Sequence, residues 1–403
     1  MWTGTTTIAT TVTRFALFAR LPVCQHLFCM HSLFVLTREQ LYEDLYQAYL
    51  DARRHKRNKP YQIRFESRLE YNLQSLCEDL FSRTYKAKPS TCFIITDPKK
   101  REVFAADFRD RIVHHLYYNY TRQLYERTFI QDTYSCIPKR GTHYGIKRLQ
   151  QHILQESENF TRPCYVLKMD ISGYFMHIDR KILLDLCLNT LHKMASHRVS
   201  RHREECWQDV LDMDFLKYLT REIVLLNPID SCRRKGSVHD WDDLPHGKSL
   251  FYSPHGCGLP IGNLTSQLFS NVYLNVLDQF VKRVLKCRHY GRYVDDFYIV
   301  SCDKKMLENY VDRIRETLRT CLHLRINEGK TKMVSVWKGV EFLGMYIKPH
   351  RSYITRSSLS RMKVKVDSLS LLPFDKACSA KVSFMGVLSH GSNYNILRHL
   401  GMD

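Results

Sequence analysis

Leu41, Leu45 and Tyr49 recur at helical spacing through LYEDLYQAYLDARRHKRNK, and Thr37 with Gln40 supplies a capping box just ahead of them. This predicts a helix that opens an N-terminal helical extension over residues 37–90. From residue 91 the period changes. Short strand-like runs such as TCFIIT and CYVLKMDI alternate with longer helical ones such as FRDRIVHHLYYNYTRQLYE, an α+β pattern. RYV and FYIV are both aromatic or β-branched and stand two residues apart, which predicts a hairpin whose turn is Asp295–Asp296. The stretch 193–257, rich in His, Arg and Asp, predicts a polar loop between strand-bearing elements. Helical patterning returns in SSLSRMKVKVDSLSLL and AKVSFMGVLSHG, the latter with Gly391 as its expected C-cap. Residues 1–36 fit none of these patterns. Their apolar runs resemble a signal peptide, but Arg14, Arg20, Pro22 and His26 interrupt each run before membrane-spanning length. A tail with no secretory or membrane role is expected, with Met30 as an alternative start.

Charge narrows the partners. The 403 residues carry 61 Lys plus Arg against 41 Asp plus Glu, a formal +20 that attracts polyanions. The basic residues are spread along the chain and interleaved with 24 Tyr and 20 Phe, which favours nucleic acid over a membrane surface. Arg53, Arg54, Lys56, Arg57 and Lys59 close the first helix; they either complement its C-terminus or grip phosphates. The 14 cysteines form no CxxC pair, so a reduced, cytoplasmic setting is expected in place of a disulfide scaffold. His239, His246, His255 and Cys257 match no zinc spacing.

The candidate chemistry lies in carboxylates set among apolar strands. RYVDDFYIVS carries Asp295 and Asp296, and the strand-patterned run in YVLKMDISGYF ends at Asp170 before Gly173 breaks it. A half-buried strand disfavours such groups unless positive charge meets them. At about 4 Å and an effective dielectric near 20, two like charges repel by roughly 4 kcal/mol, so a converging trio needs protons or cations. Paired magnesium ions would satisfy it and would serve nucleotidyl transfer.

Read in order, these motifs resemble the reverse transcriptase family across residues 91–350. The resemblance implies a right-hand α+β polymerase fold, with interleaved fingers and palm over 91–350 and a short helical thumb over 351–403. KKREVFAADFRDRIVHH resembles the fingers segment, which assigns triphosphate contact to Lys99 and Arg101. YVLKMDISGYF resembles the first palm motif, making Asp170 and the Ile171 carbonyl metal ligands and Phe175 the steric gate against a ribose 2′-hydroxyl. GLPIGNLTSQLFSN resembles the turn beneath the templating pair, which places Ile261, Gly262 and Gln267 at the nucleotide. YVDD is the family's signature turn and supplies Asp295 and Asp296 as catalytic metal ligands. NEGKTKMV implies that Lys330 protonates leaving pyrophosphate, and VEFLGMYI, around Phe342, Leu343 and Gly344, that this segment supports the primer end.

Most members have Gln where this chain has Ile261, and Ser-Pro where it has Ser266-Gln267. IGNLTSQ instead resembles the diversity-generating retroelement enzymes, which copy a template RNA with errors at adenines. Implied with it are two Mg2+ ions, template RNA, a DNA or RNA primer, deoxynucleoside triphosphates and a small basic accessory variability protein. Other readings are a group II-intron-like or defence-associated reverse transcriptase, a template-independent polymerase, and a non-catalytic basic RNA-binding protein of polymerase shape.

Overall fold

The computed structural model describes residues 34–400 apart from His55, Pro98 and Leu372; the readings made on residues 1–33 lie outside the described residues. The first helix, α1 (Arg38–Arg53), starts where Thr37 Oγ1 accepts from the Gln40 amide at 3.2 Å, the threonine half of the expected capping box. Leu41, Leu45 and Tyr49 are buried along with Ala48 and Ala52. Two further helices follow, α2 (Pro60–Glu66) and α3 (Leu69–Phe81). The chain then runs β1 (Thr91–Ile95), β2 (Arg101–Ala105), α4 (Phe108–Glu126), α5 (Thr142–Glu156), β3 (Tyr165–Met169), α6 (Tyr174–His177), α7 (Arg180–Ala195), α8 (Met213–Val224) and β4 (Arg233–Arg234). Next come α9 (Leu264–Gln279), β5 (His289–Tyr293), β6 (Asp296–Ser301), α10 (Lys304–Leu322), β7 (Lys332–Ser335), β8 (Val340–Phe342), β9 (Met345–Lys348) and β10 (Arg351–Ile354). Three helices close the chain: α11 (Arg356–Asp367), α12 (Phe374–Leu388) and α13 (Tyr394–His399).

A four-stranded antiparallel sheet in the order β5-β6-β3-β7 is the centre of the molecule. Its pleat divides the core. Leu167, Met169, Phe297 and Ile299 enter one apolar layer with α4, α7, α9 and α10. Val166, Tyr298 and Val300 enter a second layer with α5, β8 and β9. The β1–β2 hairpin, with β4 added in parallel to β1, makes a separate small sheet.

Two expectations are corrected. The polar stretch 193–257 is not a plain loop. Met213, Leu216, Leu219 with Thr220, and Val224 share a buried helical face, and Asp212 accepts from the Phe215 amide at 2.8 Å to start α8. The surrounding His, Arg and Asp residues mask this short amphipathic run in composition. Gly391 is not the C-cap either. The last turn of α12 closes at Ser389, because the following chain is drawn into the β10 edge, where the Ser392 amide donates to Ser352 O at 2.7 Å and the Ile354 amide to Asn393 Oδ1 at 3.0 Å. Among the described residues, no helix is long and apolar enough to cross a membrane, and all twelve cysteines are free thiols.

Behind the sheet, His152 is 2% exposed. It lies 3.0 Å from the Tyr298 hydroxyl and 3.1 Å from Arg148 Nη2. Burial pushes its pKa down to about 4, opposed by Asp132 and reinforced by Arg148 and His289. An unfolded histidine titrates at about 6.5, so its neutral burial stabilises the fold above that pH and is lost as pH falls toward 4. Going from pH 7.5 to 5 should cost the parent about 2 kcal/mol more than His152→Gln. Urea denaturation at both pH values checks this; parallel losses in the two proteins would refute it.

Candidate active site

The chain leaves β3 at Met169, and Asp170 is the next residue. The Asp170 carbonyl accepts from the Asn327 amide at 2.8 Å, and the Ser172 amide donates to Arg325 O at 2.9 Å. Ile171 is buried opposite Ile326 in this isolated bridge. Since its two neighbours make the bonds, the Ile171 N–H and C=O point away from that strand.

Asp295 and Asp296 sit on the hairpin, but not as expected. Tyr293 pairs with Asp296, so the two-residue turn is Val294–Asp295, and Asp296 is the first residue of β6. In this register Arg292 pairs with Phe297 and Gly291 with Tyr298, and both aromatic rings are buried. The shift puts Val294 at φ +56°, a conformation a β-branched residue rarely adopts. It is held by its neighbours. Arg292 Nη1 donates to Val294 O at 2.9 Å, and the Val294 amide donates to Ser135 Oγ at 3.2 Å.

That arginine belongs to a buried polar network which no motif announces. Arg292 and Asp278 have fully buried side chains. The guanidinium donates to both Asp278 oxygens, at 2.8 and 2.7 Å, and to Asn271 Oδ1 at 3.2 Å. The Tyr290 hydroxyl donates to Asp278 at 2.6 Å, and Asn271 Nδ2 to Ser135 O at 2.8 Å. The available signal was Asp278 itself, the one charged residue of the apolar helix LTSQLFSNVYLNVLDQ.

The three aspartates influence one another. Burial pushes the Asp295 carboxyl up to about 6, with the Asp170 charge adding to it. Asp296 is likewise raised by burial, partly offset by Lys168 at 3.7 Å. Lys168 was missed in the sequence; its signal is a cation in the apolar strand YVLKM, two residues before Asp170 and so on the same face. Lys330 Nζ donates to both Asp170 oxygens, at 2.9 and 2.8 Å. Burial draws the Lys330 pKa down, but the Asp170 contact outweighs it and leaves the ammonium raised.

Among the described residues, no three His, Cys, Asp or Glu side chains yet converge tightly enough to hold an ion. The donor set nonetheless fits a divalent cation. It offers hard oxygen ligands, carboxyls held up by burial and mutual repulsion, and an ammonium standing against one of them.

The remaining predicted residues form two further groups. The half-buried Phe175 ring packs edge-on against Tyr174, centroids 5.3 Å apart, and borders a small third core of Cys92, Phe104, Met176 and Leu250. Ile261 packs against the same core, and its carbonyl accepts from the Phe104 amide at 2.9 Å. Gly262 has φ +126°, and a Cβ there would lie 2.9 Å from Phe104 O, so only glycine permits this approach to β2. Gln267 is exposed and accepts from the Cys136 thiol at 3.3 Å. Lys99 and Arg101 are exposed at the tip of the β1–β2 hairpin.

Residues 96–347 match the family model described as reverse transcriptase (RNA-dependent DNA polymerase). Protein YkfC of Escherichia coli (strain K12) is 26% identical over 357 residues, which is 80% of this chain and 81% of that protein. Apo telomerase from Candida tropicalis, truncated from its C-terminal domain, superimposes with a TM-score of 0.46 at 12% identity, covering 66% of this chain and 55% of that one. Telomerase from Candida albicans in complex with a TWJ fragment of telomeric RNA gives a TM-score of 0.45 at 11% identity, covering 71% and 51%. The chain thus spans about half the length of these telomerases.

Proposed function

Because the chain belongs to the reverse transcriptase family, whose model covers residues 96–347, we propose that it copies an RNA template into DNA by extending a primer with deoxynucleoside triphosphates. The observation that carries this reading is that Asp170, at the end of β3, lies close enough for its charge to act on Asp295 in the β5–β6 turn and on Asp296 at the start of β6. Asp170, Asp295, Asp296 and the Ile171 carbonyl would hold two Mg2+ ions, whose chemistry is to acidify the primer 3′-hydroxyl and neutralise departing pyrophosphate. Lys330, whose ammonium is held by Asp170, would hand a proton to that leaving group. Lys99 and Arg101, exposed on the hairpin, would receive the triphosphate. Phe175 would exclude a 2′-hydroxyl.

The finer reading is an error-prone enzyme of a diversity-generating retroelement, working in the cytoplasm with its template RNA and a small basic accessory protein. Ile261 supports it. Isoleucine packs on the third core and has no amide to offer the templating pair.

Primer extension on a defined RNA template with Mg2+ tests the reaction. RNA-templated DNA is expected; nucleotide addition that ignores the template, or no synthesis, would overturn the reading. Sequencing the products tests the subtype. One net hydrogen bond is worth roughly 0.5–1.5 kcal/mol, so Ile261→Gln should lower misincorporation opposite template adenine by a factor of a few to about ten. An unchanged error spectrum would remove the support from Ile261.

A further inference from the structure

Glu102 lies on β2, one residue beyond the exposed Arg101, and is 1% exposed. Its carboxylate accepts from Trp241 Nε1 at 2.7 Å, Ser249 Oγ at 2.9 Å and the Leu250 amide at 2.6 Å. All three donors come from the polar stretch between α8 and α9. Two more contacts fasten that stretch to the same hairpin: β4 pairs with β1, and Lys100 Nζ donates to Asp242 O. A buried carboxylate with uncharged donors is satisfied in one arrangement only, since removing the acceptor strands every donor.

The other end of the stretch grips the segment that carries Phe175. The Leu259 amide donates to Phe175 O and the Gly258 amide to Ile178 O, both at 2.8 Å. The turn at His246–Lys248 rests on the start of α6 so closely that a Cβ on Gly173 would lie 2.9 Å from Gly247 O. Between the two ends Leu250 joins Phe104 and Met176 in the third core, against which Phe175 and Ile261 pack. Fingers strand, gate residue and templating turn therefore share one small core, closed by this strap.

We propose that residues 227–259 are a strap locking β2 to α6, and that Glu102 is the positioning residue that sets the Phe175 ring and thereby the preference for deoxynucleotides. This rests on the polymerase reading above. Glu102 touches no substrate; it acts through Trp241 and Leu250 on the core behind the ring.

Trp241→Phe keeps the ring and removes one donor, and Glu102→Gln keeps the shape and turns one acceptor into a donor. The ratio of kcat/KM for a deoxynucleotide over its ribonucleotide is measured on one RNA template, normalised to active fraction. Each variant should lose about fivefold in this ratio, with kcat for the deoxynucleotide within about twofold of the parent. In a Phe175→Ala background the same substitutions should cost nothing further, because they act through that ring. A merely structural role would lower the active fraction and leave the ratio untouched. An unchanged ratio in Trp241→Phe, or an undiminished loss in the Phe175→Ala background, would overturn the proposal.

Hydrogen exchange separates this from the polymerase reading. Faster exchange of the Gly258 and Leu259 amides in Trp241→Phe supports the strap whatever the activity, and unchanged protection refutes it. Absence of templated synthesis by the parent counts against the reaction and against any role in nucleotide choice.

Discussion

Asp295→Asn and Asp170→Asn should each lower Mg2+-dependent DNA synthesis by at least about a thousandfold, since each removes a charge that would bind a cation at the reacting phosphate. Asparagine keeps the size and much of the hydrogen bonding, so the fold should survive. RNA affinity should stay close to that of the parent, because on this reading it would derive from cations dispersed over a chain of formal charge +20. The two variants probe different strands. Asp170 is anchored by the bridge to residues 325–327, and Asp295 by the turn. Primer extension together with filter binding decides the matter. Extension near the parent rate by either variant would remove that aspartate from the metal site, and a parallel loss of RNA binding would show that the substitution had damaged the fold.

Arg292→Met should destabilise the protein by about 3–5 kcal/mol, the cost of leaving a buried carboxylate without its cation. Asp278 would keep only the Tyr290 and Thr133 hydroxyls, at 2.6 and 3.1 Å. A second consequence follows from the same guanidinium. Arg292 Nη1 holds the Val294 carbonyl in its left-handed conformation, so the turn beside Asp295 should loosen and synthesis per folded molecule should fall as well. Replacing both partners, Arg292→Met with Asp278→Leu, should restore much of the stability without restoring the turn. Urea denaturation and active-fraction kinetics on the single and double variants separate the two effects. A single variant within about 1 kcal/mol of the parent would refute the assignment.

Much of the architecture was legible in the chain, and the failures have physical causes. FRDRIVHHLYYNYTRQLYE folds as α4 over its whole length, Phe108–Glu126, because its apolar positions keep a helical period over five turns. The three aspartates stood out because carboxylates are costly in apolar strands. The turn was misplaced by one residue, since RYVDDFYIV admits two registers and the one adopted is held by partners distant in the chain, Asp278 for Arg292 and Ser135 for the Val294 amide. α8 was hidden because one amphipathic helix in a polar stretch hardly alters its composition. Lys168, Glu102, Asp278 and Arg292 were missed for a common reason. Each is explained by a partner distant in the chain, such as Glu102 by Trp241, 139 positions away, and no local period encodes such a pairing.

The division of the central sheet into two layers also limits how this gene can change length. Along β3, Leu167 and Met169 face the helices while Val166 enters the opposite layer, and along β6 Phe297 and Ile299 are separated from Tyr298 and Val300 in the same way. Losing one codon within either strand would exchange the two sets, sending Lys168 or Asp296 into a helical layer with no counter-charge and apolar side chains toward the aspartates. Losing two codons would preserve parity but draw the aspartates back by about 7 Å. These strands therefore tolerate substitution far better than deletion, and codon-deletion scanning would mark them as sharply bounded gaps in an otherwise forgiving map.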